Sequence, residues 1–287
     1  MAGDVLVRLR QALPTLRPAE ARIADVVLDD PTGAVGSTIT ELAARAATSQ
    51  ATVVRFCRAV GYAGYPEFRI DLAQATSRRA VELERSGIDE GEIDPADDAP
   101  AVVSKIAFHE ARTIEETARL LDLDALERAV AAVADASRTD VFGVGSSGLT
   151  AQDLARRLAR IGLVSLAPID PHDQLRSAAL LGPGTVAVGI SHTGRTPEPC
   201  RALTLARERG ATTIAVTSFP ASPLGEQADV VLTTTARETG FLAGGTSSRI
   251  AQLAVVDVLV VRVAQRRRDA AETALRVTDE AVHRAHP

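Results

Sequence analysis

The spacing of apolar residues changes near residue 139. Before that point they recur every three or four residues, the period of a helix with one buried face. Leu6, Leu9 and Leu13 set up a first helix ahead of Pro14. Pro18 suits the first turn of a second helix, which runs to about Leu28 and stops at Asp29-Asp30-Pro31. In Ser37-Thr38-Ile39-Thr40-Glu41-Leu42 an acid follows a hydroxyl at helix-capping distance, which predicts a third start. Thr48-Ser49-Gln50 opens a fourth helix over Ala51–Val60, and Gly61 is placed to end it. From Val102 to about Ala136 the helical period returns, carried by Ile106, Ile114, Leu120, Leu121, Leu126, Val130 and Val133.

Beyond Thr139 short apolar runs alternate with amphipathic stretches. Strands are predicted at 140–145, 163–167, 185–190, 212–217 and 229–233. Helices are predicted between them at about 149–161, 172–180, 197–209 and 222–227. A long helix over about 247–266 and a last amphipathic helix follow. Strand–helix alternation at this spacing predicts a doubly wound parallel five-stranded sheet. The fold class is therefore α/β, with an all-α domain in front. The stretch 81–100 is acidic, rich in Gly and Pro and poor in large apolar side chains, which is linker composition. The expected domains are 1–80, a linker at 81–104, and 105–287.

Composition narrows the function classes. The chain has 287 residues, enough for two domains, and is 46% hydrophobic and 24% charged, as globular proteins are. Net charge is −5, which argues against a surface coated in nucleic acid. Charge is uneven, however. Residues 1–80 hold ten Arg against eight Asp and Glu, so the helical part carries +2 and the remainder −7. That asymmetry favours the N-terminal part as the one that meets DNA. Cys57 and Cys200 fall in different domains and no Cys/His cluster has metal-ligand spacing, so neither a zinc site nor another cofactor is expected. The first residues lack the apolar core of a signal peptide, and Leu253–Val261 is too short to span a bilayer. A cytoplasmic protein with no membrane partner is expected.

Two short helices with a tight turn between them, the second opening on Ser, Gln and Thr, fit a helix-turn-helix. Its second helix would enter the major groove of double-stranded DNA. Gln50, Ala51, Thr52 and Arg55 are the candidates for base edges: Gln pairs with adenine, Arg with guanine, and a methyl group meets thymine. Ser49 and Arg58 are the candidates for phosphates. Leu42, Ala43, Val53 and Phe56 would form the small core beneath. A plain helical hairpin is the alternative. The run ITELAARAATSQATVVRFCRAVGYAGYPEFRIDL strongly resembles the N-terminal domain of the RpiR family of phosphosugar-responsive regulators. It departs from the family in the turn, where Ala47-Thr48 stands in place of a Gly followed by an aliphatic residue. An Ala there is expected to strain or reshape the turn.

The second domain offers two candidate anion loops. VFGVGSSGLT reads as strand, glycine-rich loop and helix start, with Gly145, Ser146 and Ser147 at its centre. Gly143-x-Gly145-x-x-Gly148 also fits a dinucleotide fingerprint, with Asp170 about 20 residues on as the ribose acid. This loop alone leaves both readings open. The next strand ends in SHTGRTPE, where Ser191, His192, Thr193, Gly194 and Thr196 would face the same crevice, because loops at the carboxyl ends of neighbouring parallel strands share it. Helix capping is the ordinary alternative for such hydroxyls. The two loops resemble the Gly-Ser/Thr-Ser and S-x-S-G-x-T motifs of the sugar isomerase (SIS) domain, over about residues 125–265. That resemblance implies a phosphosugar site, with Glu238 where related enzymes carry a sugar-contacting or catalytic Glu.

No catalytic residue is assigned. The expected function is a DNA-binding transcriptional regulator, active as a homodimer or higher homo-oligomer, whose DNA affinity is set by a sugar phosphate effector. A phosphosugar isomerase or lyase with an accessory helical domain is the alternative, with Glu238 or His192 as its acid or base. A nicotinamide-dependent oxidoreductase is the third reading.

Overall fold

The computed structural model describes residues 5–86, 93–236 and 246–285, and the chain divides into two compact units, 1–108 and 109–287. The first unit holds α1 (Val5–Ala12), α2 (Pro18–Asp29), α3 (Pro31–Gly36), α4 (Ile39–Arg45), α5 (Gln50–Ala59) and α6 (Tyr65–Ser86). It also holds the start of α7 (Ala99–Leu120). The capping box expected at Thr38 is formed: Thr38 accepts from Glu41 N, and Glu41 accepts from Thr38 N at 2.7 Å. Pro18 and Pro31 each open a helix in its first turn. The apolar faces of these helices meet in one core built on Leu6, Leu9, Ile23, Val27, Leu42, Val53, Phe56, Phe68 and Leu72. Phe56 and Phe68 pack edge to face at 5.5 Å, which adds ring electrostatics to the area buried. Arg8 ties α1 to α6, bonding Tyr62 Oη and Asp71 while its guanidinium lies 4.6 Å from the Tyr62 ring centre.

The segment expected as linker, 81–104, is helical at both ends. Helix α6 runs on to Ser86, and α7 begins at Ala99. Ala80, Glu82, Leu83, Glu84 and Arg85 are all good helix formers, and the first breaker is Gly87. Acidic composition does not keep residues 81–86 and 99–104 from being helical.

The second unit adds α8 (Leu123–Asp135), β1 (Arg138–Phe142), α9 (Ser146–Arg160), β2 (Ser165–Leu166) and α10 (Pro171–Ala179). Then come β3 (Thr185–Ile190), α11 (Pro197–Glu208), β4 (Thr212–Thr217), α12 (Pro223–Glu226) and β5 (Val230–Thr233). Helices α13 (Thr246–Arg266) and α14 (Arg268–Ala285) close the chain. The five strands form an all-parallel sheet in the order β2-β1-β3-β4-β5. Side chains alternate between its faces. Val186, Val188, Ile190, Ile214 and Val216 point to the core shared with α8, α9, α13 and α14. Phe142, Ala187 and Ala215 point to the other core, against α10, α11 and α12. Both faces are covered, so the sheet is doubly wound. Strand β2 is shorter than expected; it is an edge strand whose Val164 and Leu166 stay 60% and 48% exposed.

The strand order reverses between β1 and β3. Helix α9 leaves β1 toward β2, and α11 leaves β3 toward β4. In an open parallel sheet the crevice beyond the carboxyl ends of such a strand pair is where ligands bind. Phe142 pairs with Gly189 at that end, so the two loops named from the sequence leave adjoining strands.

Candidate functional site

The first loop is shaped by glycine. A side chain at Gly143 would bring its Cβ to 2.6 Å from the Ser147 carbonyl oxygen, so only glycine allows the backbone to fold back so closely. Gly145 has φ +59° and is the N-cap of α9, without a side-chain capping bond. Gly148 N and Leu149 N turn back to Gly145 O. The start of the helix, with its positive dipole end, is available to an anion. Ser146 and Ser147 are half-buried. The Ser147 hydroxyl accepts from Gln252 Nε2 at 3.0 Å. Gln174 Nε2 donates to Gly143 O at 2.9 Å and braces the loop from α10.

The second loop is tied more tightly. Ser191 Oγ accepts from Gly194 N at 3.1 Å and bonds Thr196 Oγ1 at 2.9 Å. Thr193 Oγ1 accepts from Arg195 N. Gly194 has φ +62°, and any Cβ there would overlap the Ser222 hydroxyl. His192 Nδ1 bonds Ser218 Oγ at 3.0 Å, and Ser218 Oγ bonds Thr234 Oγ1 at 2.9 Å. Hydroxyls from the ends of β4 and β5 thus continue the row begun on β3. Ser191 is buried, His192 and Thr196 are half-buried, and Thr193 is exposed.

The helix starts of the second unit differ in how they are capped. Helices α8, α10 and α12 each begin with a side chain that accepts from their first amides, supplied by Asp122, Asp170 and Ser222. Helices α9 and α11, which begin at the two candidate loops, have no such bond. The loop hydroxyls therefore do not serve their own helices. Thr196 turns to Ser191, and Ser147 is held by Gln252. Asp170, the ribose acid of the dinucleotide reading, is occupied as the cap of α10, accepting from His172 N and Asp173 N. Glu238 lies outside the described residues.

Gln174, Gln252, Ser218 and Thr234 were not singled out from the sequence. Gln252 and Gln174 stand alone within helical stretches, with no local motif to mark them. Among the described residues no group of three His, Cys, Asp or Glu is arranged to hold a metal ion, and no helix is long and apolar enough to cross a membrane.

In the first unit, α4 and α5 form the helix pair. Leu42, Ala43, Val53 and Phe56 are buried beneath it. Ser49 caps α5, accepting from Thr52 N. Gln50, Ala51, Arg55 and Arg58 lie on the exposed face of α5. Gln50 Nε2 also donates to Thr40 Oγ1 on α4 at 2.9 Å. Thr52 departs from expectation. It is only 5% exposed, and its hydroxyl bonds Ser49 Oγ and accepts from Arg55 Nη2. One turn of helix puts residues 52, 53, 56 and 57 on the inner face, so Thr52 faces inward and braces Arg55.

Comparison with known proteins agrees with both halves. Residues 3–79 match the helix-turn-helix domain of the rpiR family, and residues 132–262 match the SIS domain. An HTH-type transcriptional regulator of Caldanaerobacter subterraneus subsp. tengcongensis is 39% identical over 264 residues, 92% of each chain. Another from Haemophilus influenzae is 36% identical over 270 residues, covering 94% of this chain and 93% of that one. Among solved structures, the Vibrio vulnificus NanR protein complexed with ManNAc-6P matches with a TM-score of 0.61 at 31% identity, covering 98% of both chains. With a helix-turn-helix at one end, a SIS sheet at the other and this similarity along nearly its whole length, the chain belongs to the RpiR family of HTH-type transcriptional regulators.

Proposed function

We propose that this regulator reads DNA with the exposed face of α5 and that a sugar phosphate, bound between the loops after β1 and β3, sets its DNA affinity. The observation that carries the ligand site is the pair of helices, α9 and α11, that open at the sheet's reversal point without side-chain caps. Two helix starts and the hydroxyls of Ser146, Ser147, Ser191, Thr193 and Thr196 suit a phosphoryl group, which needs many donors. His192 and the Ser218–Thr234 pair bonded to it suit the hydroxyls of a sugar. The complex of NanR with a phosphorylated amino sugar supports the same ligand class. Glu238 is proposed as a further sugar contact on the resemblance to SIS enzymes alone.

At the DNA, Gln50, Ala51 and Arg55 read bases, while Ser49 and Arg58 hold phosphates. The protein works in the cytoplasm as a homodimer or higher homo-oligomer. It presents two copies of α5 about 34 Å apart to a two-fold operator. The effector acts by binding one arrangement of the oligomer better than another. This chain acts as a sensor and releases its ligand unchanged.

The test pairs two measurements. A thermal-shift screen of hexose, pentose and amino-sugar phosphates identifies the effector, because a ligand of the folded state raises Tm. Affinity for a duplex selected by the protein from a random-sequence pool is then measured with and without it. A stabilising sugar phosphate that leaves DNA affinity unchanged overturns the regulatory reading. Conversion of that sugar phosphate on prolonged incubation favours an isomerase or lyase.

A further inference from the structure

The turn between α4 and α5 fixes the angle at which α5 is presented. Ala47 in that turn has φ +48° and is, among the described residues, the one residue other than glycine with positive φ. A Cβ is disfavoured in that region of backbone space, and glycine is at ease there. The turn is held at each end. Thr48 N donates to Ala43 O at 2.9 Å, closing the end of α4. From α2, Arg22 Nε donates to Ala46 O at 3.2 Å and Nη2 donates to Ala47 O at 3.3 Å. Its remaining bond returns to Pro18 O on its own helix. Arg22 is exposed, and among the described residues no carboxylate pairs with it. Its rigid fork thus spans two successive carbonyls at the negative end of the α4 dipole, on either side of the strained residue.

We infer that Arg22 is a positioning residue for DNA reading: it clamps the Ala46 and Ala47 carbonyls and so holds the turn in a conformation that alanine alone would leave. This rests on the reading of α5 as the DNA-contacting helix. The clamp explains how this chain keeps the turn without glycine. It also adds a polar tie from α2 to the apolar core that α2 and α5 already share.

The experiment uses the full chain with Arg22→Ala, Arg22→Lys, Ala47→Gly and the double variant Arg22→Ala/Ala47→Gly. Two readouts are taken. One is hydrogen exchange at the Thr48 amide without DNA. The other is affinity, across a salt series, for a duplex that the wild-type chain selects from a random-sequence pool. Arg22→Ala is expected to speed Thr48 exchange and weaken duplex binding, each about tenfold, with the salt slope unchanged. Adding Ala47→Gly recovers most of both losses, because glycine holds the turn unaided. Arg22→Lys, with one compact ammonium, behaves like Arg22→Ala.

A salt slope reduced by about one in Arg22→Ala, with affinity kept in Arg22→Lys, would make Arg22 a phosphate contact and overturn the clamp. Unchanged Thr48 exchange, or failure of Ala47→Gly to rescue, overturns it as well. If the wild-type chain selects no duplex, the DNA reading of α5 fails, while the exchange measurement still decides whether Arg22 holds the turn.

Discussion

The side-chain amide of Gln252 donates to the hydroxyl of Ser147 at 3.0 Å, joining helix α13 to the glycine loop across 105 residues of chain. The same amide group accepts from Thr150 Oγ1 at 3.3 Å, and the side chain is almost wholly enclosed. Gln252 thus holds the Ser147 oxygen from the α13 side.

Replacing Gln252 with Leu should cost about 1–3 kcal/mol of stability, because the Thr150 hydroxyl loses a buried partner. It should also weaken sugar phosphate binding by about tenfold through loss of Ser147 orientation. Ser147→Ala should weaken binding with little loss of Tm. Calorimetric titration beside thermal denaturation separates the two. Wild-type affinity in Gln252→Leu would show that Ser147 needs no such support.

Gly194→Ala should be among the most damaging single changes in the second unit. It places a Cβ on the Ser222 hydroxyl at a backbone angle of φ +62°. A loss of roughly 2–3 kcal/mol is expected, with loss of ligand binding. Ser222→Ala, by contrast, removes the cap of α12 and should cost about 1 kcal/mol while leaving the loop in place. Chemical denaturation of the two variants gives the comparison.

Thr52 and Arg55 should separate cleanly in a binding assay. Arg55→Ala should weaken binding to the selected duplex by about 1–3 kcal/mol and relax preference at one base pair. Thr52→Val removes a hydroxyl that braces Arg55 from within, so it should lower affinity by less and leave the base preference unchanged. A new base preference in Thr52→Val would place that side chain in the groove after all.

Burial pushes the Cys57 thiol up to about 12, so the thiolate that attacks electrophiles is absent across the physiological pH range. Cys200 is raised too, by burial and by the charge of Glu198, but it is half-buried. A disulfide reagent at pH 8 should therefore modify Cys200 slowly and Cys57 only once denaturant opens the first unit. Peptide mass spectrometry after timed quenching reads both. Fast labelling of Cys57 in the native protein would contradict its place in the core.

What could be read from the sequence follows from how local each signal is. The capping box at Thr38–Glu41 and the prolines at helix starts act within one turn, and they appear where the pattern put them. The loop motifs were legible because glycines and hydroxyls cluster between an apolar run and a helix. Strand order was not legible, since pairing of β1 with β3 joins segments that no local period connects. Gln174 and Gln252 escaped for the same reason: each acts on a loop far away in the chain. The burial of Thr52 was not legible either, because it depends on which face of α5 meets the core.

The cores of the two units draw on separate stretches of chain. Among the described residues, the buried apolar side chains of the helical core lie between Val5 and Ala75, and those of the two sheet cores lie at Ala125 or beyond, with Leu121 packed against them. Recombination between the end of α6 and the start of α7 would therefore leave each of these clusters intact. Such a family could acquire new operators by trading its heads, or new effectors by trading its bodies, without having to repack either half.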